Sequence, residues 1–127
     1  MKNFMHSIQI DAGVEDVFNA LTNPFIIEIW SDEPAVMEAK AGTEFSLFDG
    51  EISGINLEVE PNRKIVQKWY FEGHDNDSIV TITLKPKQNK TEISIEHIHI
   101  PEDAYQNISE GWVEAYLKPI KQLLEID

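Results

Sequence analysis

From residue 35 to residue 100 the chain is one stretch after another in which apolar and polar side chains alternate. Successive side chains of a strand point to opposite faces, so this alternation predicts half-buried strands. The candidates are 35–39, 43–48, 51–60, 64–72, 78–86 and 91–100. The connections between them favour a meander. Asp49-Gly50, between "TEFSLF" and "EISGINLEVE", is a type I′ hairpin signal. "PNR" (61–63) and "KQN" (87–89) fall where the next turns belong, and "EGHDNDS" (72–78) reads as a longer polar loop.

What flanks this run decides the class. "FMHSIQI" (4–10) alternates with Phe4, His6, Ile8 and Ile10 on one face, a further strand. "VEDVFNAL" then sets Val14, Val17, Phe18 and Leu21 at helical spacing. "TNPFIIEIW" starts a second short helix, with Asn23 as N-cap and Pro24 at the first helical position. At the other end, "GWVEAYLKPIKQLLE" (111–125) is amphipathic: Trp112, Val113, Tyr116, Leu117, Ile120, Leu123 and Leu124 share one stripe. Pro119 interrupts it, removing a donor and crowding the carbonyl of Ala115 at a cost of roughly 3 kcal/mol in a helix interior. The stripe keeps its phase through the proline, which predicts one helix bent there. A bent helix laid on a curved sheet can pack closely at one end and stand off at the other. The class is α+β.

At 127 residues, 42% of them hydrophobic, the expectation is a single domain over 1–127 with one core. No apolar run approaches the roughly 20 residues that span a bilayer. The first residues show no secretory pattern, so a cytoplasmic location is expected. With no cysteine, thiol catalysis and thiolate metal sites are excluded. A formal net charge of −13 argues against nucleic-acid or anionic-membrane partners and leaves room for a basic protein.

Three segments carry a resemblance to a known family. They are "TNPFIIEIW" with Trp30, "FSLFDGEISGINLEVEPNRKIVQKWYF" with Gly50, Gly54, Pro61 and Trp69, and "EGWVEAYLKPIKQLLE" with Trp112 and Pro119. In order and spacing the chain resembles the START-like (SRPBCC, Bet v 1-like) helix-grip superfamily. Within it, the chain is similar to the activator of heat-shock protein 90 ATPase homologue-like group. The resemblance implies a curved seven-stranded antiparallel sheet around the last helix, and a largely apolar cavity between the two. It also implies a chaperone as a candidate partner, since the family is named for a two-domain co-chaperone whose C-terminal domain is of this type.

Strand parity names candidate inward residues. In 51–60 the apolar set is Ile55, Leu57 and Val59; in 78–86 it is Val80, Ile82 and Leu84. In 64–72 the set Ile65, Gln67, Trp69 and Phe71 holds the larger rings and leaves Lys64 and Lys68 outside. "TEISIEHIHI" poses a conflict, because unbroken alternation puts His97 and His99 with Ile93 and Ile95 and turns Ile98 and Ile100 outward. Either a bulge lies near Glu96 or two histidines point at the helix, where His6 would approach them. The predicted ligand-binding set is Ile55, Leu57, Trp69, Phe71, His97, His99, Trp112 and Tyr116, with histidine as a titratable anchor. Trp30 is a core residue or guards an entrance. Glu51, Glu58 and Glu60 are placed outward or at turns and Asp75 and Asp77 in a loop, so no catalytic carboxylate pair is expected. No metal and no cofactor are expected. The expected function is non-catalytic binding of a small apolar or amphipathic molecule. The alternative is a chaperone-associated protein-binding module, followed by a cavity enzyme using a histidine base.

Overall fold

A computed structural model describes residues 1–126, the side chains of Asp75 and Asn76 excepted. The chain runs β1 (Lys2–Ile10), α1 (Val14–Thr22), α2 (Pro24–Ser31), β2 (Glu44–Leu47), β3 (Ile52–Glu60), β4 (Lys64–Phe71), β5 (His74–Lys87) and β6 (Lys90–Ile100). It ends in a long helix made of α3 (Glu102–Gly111), a π-helical segment (Trp112–Leu117) and α4 (Lys118–Leu124). Every strand pairing is antiparallel, and the order across the sheet is β1-β6-β5-β4-β3-β2. The α+β helix-grip architecture is therefore as expected, but the described residues form six strands rather than seven.

The missing strand is the segment 35–39. It contributes one bridge, in which Val36 and Ser46 exchange backbone hydrogen bonds of 2.8 and 2.9 Å. Two residues on, the Glu38 carbonyl accepts from the Asn56 side chain instead of a strand neighbour, and the ladder stops. The expected polar loop at 72–78 is instead the tight start of a longer strand. Phe71 pairs with His74 across Glu72-Gly73, and Gly73 supplies the positive φ (79°) that the turn needs.

The core lies between one face of the sheet and the helices. β1 turns Phe4, His6, Ile8 and Ile10 inward, and α1 buries Val17, Phe18 and Leu21. Asn23 caps α2 as predicted, its Oδ1 accepting from Phe25 N at 2.9 Å with Pro24 next in the chain. The last helix is clamped at its C-terminal end: Lys121 donates to the Gln9 carbonyl (2.9 Å), and the Glu125 carboxylate accepts from Asp11 N (2.8 Å). α3, at the other end, buries no residue completely. The helix thus grips at one end and stands off at the other.

Pro119 is accommodated without breaking the helix. The residues before it widen into a π-helix, in which Lys118 N–H reaches Val113 rather than Glu114. Pro119 follows directly as the second residue of α4, and the backbone on its N-terminal side stays helical. Within this segment the Trp112 and Tyr116 rings lie 4.5 Å apart.

Candidate functional site

A cleft of about 500 Å³ opens where the helix leaves the sheet. Its helix wall carries Ala104, Ile108, Gly111 and Ala115, together with Trp112 and Tyr116. Its opposite wall is Phe48, Ile52 and Trp69, with Glu51 and Asn107 at polar positions. The space follows from side-chain size: a Cβ built on Gly111 would meet nothing within 4 Å.

Phe48 reaches the cleft through an unusual backbone. The turn between β2 and β3 closes with Gly50 N–H on the Leu47 carbonyl (3.2 Å), so its central residues are Phe48 and Asp49, both at φ 54°. This is the predicted hairpin moved back by one residue. A large aromatic at positive φ is strained by roughly 1–2 kcal/mol. The ring lies against Trp30 (5.9 Å) and Tyr116 (6.2 Å). Those contacts hold the strained turn in place.

The two tryptophans of the wall are stacked, with centroids 4.9 Å apart and planes 24° apart, and each indole N–H has a buried acceptor. Trp69 Nε1 donates to Gln67 Oε1 (2.9 Å), Gln67 Nε2 to Asn56 Oδ1 (3.0 Å), and Asn56 Nδ2 to the Glu38 carbonyl (3.1 Å). Trp112 Nε1 donates to His97 Nδ1 at 3.0 Å. Indole can only donate, so Nδ1 is bare and the proton of the neutral imidazole sits on Nε2. Nε2 then donates to Ser78 Oγ (2.8 Å), which donates onward to the Ile98 carbonyl (3.3 Å). His97 is fully buried, and burial lowers its pKa from 6.5 to about 4. It is a neutral strut behind Trp112.

Trp69, Trp112 and Tyr116 of the predicted set stand in the cleft wall. The others do not. A bulge at Leu57 lets Asn56 face Gln67 and Val59 face Ile65, so Gly54 and Asn56 point inward, while Ile55 lies opposite Lys68 and Leu57 is exposed. Parity counted straight through the strand put both residues on the wrong face. Phe71 packs beside His97 (6.3 Å), away from the cleft. The β6 bulge falls at His99, not near Glu96: His99 adopts φ 59°, turns to solvent and returns Ile100 to the core. Its Nδ1 lies 3.0 Å from the Asp77 carbonyl. Phe4, not His6, stands opposite His97, and the His6 ring stacks on Phe4 at 6.0 Å. The three imidazoles do not converge, and the described residues include no cluster able to hold a metal ion.

Trp30 is a core residue, donating to the Ala20 carbonyl at 2.8 Å. Asp77 lies in β5 and pairs with Lys68 at 3.1 Å, while the side chain of Asp75 lies outside the described residues. Among the described residues the buried Tyr116 hydroxyl has no hydrogen-bond partner, and burial raises its pKa. The expected set omitted the small residues Ala104, Gly111 and Ala115. Their spacing of seven and four is a helical stripe, but it is visible only once the helix is begun at residue 102 rather than 111.

A six-stranded sheet gripping a long C-terminal helix, with an aromatic cleft between them, defines a helix-grip protein. A family model described as "Activator of Hsp90 ATPase homolog 1-like protein" matches residues 11–125, and the chain belongs to that family. It is 32% identical over 118 residues to the mouse "Activator of 90 kDa heat shock protein ATPase homolog 2", covering 91% of this chain and 36% of the relative. The human "Activator of 90 kDa heat shock protein ATPase homolog 1" is 31% identical over 110 residues, covering 85% of this chain and 32% of the relative. The chain thus spans about a third of the length of these curated relatives. The crystal structure of an HSP90 activator from Plasmodium falciparum superposes with a TM-score of 0.90 at 28% identity, over 98% of this chain and 96% of that one. Among the described residues no helix is long and apolar enough to cross a membrane.

Proposed function

We propose that this protein is a non-catalytic protein-binding module that acts on the ATPase cycle of an Hsp90-class chaperone. The observation that carries this reading is the Plasmodium falciparum activator, which matches this fold over nearly the whole of both chains. The curated relatives named as activators of the same ATPase support it. The buried chemistry agrees with a non-catalytic role. His97 has both ring nitrogens engaged inside the core, where Trp112 and Ser78 hold them. A cytoplasmic location goes with this partner.

The test is chaperone ATPase turnover titrated with the purified protein. A saturable rise is expected. Flat turnover across the concentration series removes the reading.

A second reading is favoured by one observation of its own, the cleft of about 500 Å³ with aromatic walls and an unmatched buried hydroxyl. This volume suits a small apolar or amphipathic guest. Native mass spectrometry and titration with a fluorescent fatty-acid probe check it. Finding neither a retained molecule nor probe binding would dismiss a guest.

A further inference from the structure

We propose that the outer face of α2 is a docking surface for a cationic protein segment that carries large apolar side chains. Phe25 and Ile29 lie one turn apart on that helix, 77% and 66% exposed, while Ile27 and Trp30 on its other side are buried. Glu28, between Phe25 and Ile29 in the sequence, is exposed, and so is Asp32, the C-cap of the helix. Glu28 also accepts from Ala35 N at 3.1 Å, which holds the following segment to the helix. Two large apolar side chains outward on an eight-residue helix exceed the single scattered hydrophobics of an ordinary surface.

The charge of this stretch of the chain argues for the occupant. From Asp11 to Glu51 the only basic side chain is Lys40. Glu28, Asp32 and Glu33 are exposed, and none has a cationic partner among the described residues. A second copy of this chain, formally −13, would bring the same charge to the contact. Nucleic acid and anionic lipid are repelled for the same reason. A lysine- or arginine-rich protein surface satisfies both halves of the patch. Apolar contacts would cover Phe25 and Ile29, and the flanking carboxylates would steer the approach.

The test uses the whole chain and three synthetic helical peptides of about 16 residues, some four turns each. One has a leucine stripe flanked by lysines, one the same stripe flanked by glutamates, and one a serine stripe flanked by lysines. Binding is followed by amide NMR shifts and calorimetry. Only the leucine–lysine peptide should bind well, with shifts centred on Phe25 and Ile29. Phe25→Ser/Ile29→Ser should weaken it at least about tenfold with an unchanged melting temperature, because both side chains are already in water. Glu28→Gln/Asp32→Asn/Glu33→Gln should weaken it similarly and flatten its salt dependence. The proposal is overturned if no peptide binds, if the glutamate peptide binds equally, or if the shifts map to the cleft. It is also overturned if Phe25→Ser/Ile29→Ser abolishes self-association or binding to phosphatidylserine vesicles rather than peptide binding. The assay contains no chaperone, so its outcome is separate from that of the ATPase titration.

Discussion

His97 and Tyr116 are the two buried titratable side chains at the helix–sheet contact, and they make opposite predictions. His97 is neutral in the fold with a pKa of about 4, against 6.5 when exposed. Between those values the unfolded chain holds a proton that the native one does not, so stability rises with pH across that window. The stabilisation is complete above about pH 6.5 and lost as the pH falls towards 4, in all about 3 kcal/mol. Urea unfolding at pH 7 and pH 4.5 should show it, and His97→Gln should flatten the difference relative to wild type. Tyr116 has a hydroxyl with no acceptor among the described residues, which costs roughly 1–3 kcal/mol. Tyr116→Phe should therefore be neutral or stabilising by about 1 kcal/mol in the same assay. Weakened fatty-acid probe binding by that variant would mean that a guest supplies the missing partner. Neither histidine parity nor tyrosine burial disclosed these roles, because both depend on which atom lies across the gap from the neighbouring element.

At the scale of elements, two glycines have opposite meanings. Gly54 in β3 faces inward across from Trp69; a Cβ there would collide with the Lys68 carbonyl and stand 2.8 Å from the Phe45 ring. Gly54→Ala should cost about 1–3 kcal/mol, measured as a lower urea midpoint. Gly111 sits in helical backbone beside the open cleft, so Gly111→Ala should stabilise by about 0.5–1 kcal/mol through helix propensity alone. Gly111→Leu would project into the cleft and should reduce probe binding, which titration will show. The strands were largely legible in their alternation, and so was the amphipathic end of the helix. Their local irregularities were not. The bulges at Leu57 and His99 insert one residue against a partner strand; the conflict of parity in β6 signalled a bulge but not its place, and the alternation in β3 gave no sign of one.

For the whole molecule, the acid-rich surface should repel itself at low ionic strength. With a net charge of −13, the melting temperature should rise from 20 to 200 mM sodium chloride as screening shortens to about 10 Å or less, and differential scanning fluorimetry will show it. The same charge limits what can cover the exposed face of α2. Fold and charge act together here: the helix-grip scaffold places an aromatic cleft on one side and an apolar, carboxylate-rimmed helix elsewhere on the chain.

Sequence alone determined the order and type of the main elements, the apolar stripe of the last helix, the absence of thiol chemistry and the sign of the surface. These follow from periodicity and composition, which are local or additive properties of the chain. Only the tertiary structure decided which side chains meet. A bulge moved Ile55 and Leu57 outward, a left-handed His99 separated two histidines that shared a parity, and a π-helical segment ahead of Pro119 carried Trp112 onto Trp69. Each depends on how a segment meets residues distant in sequence. Such contacts are set by how the elements pack, and the spacing within any one of them does not contain that information.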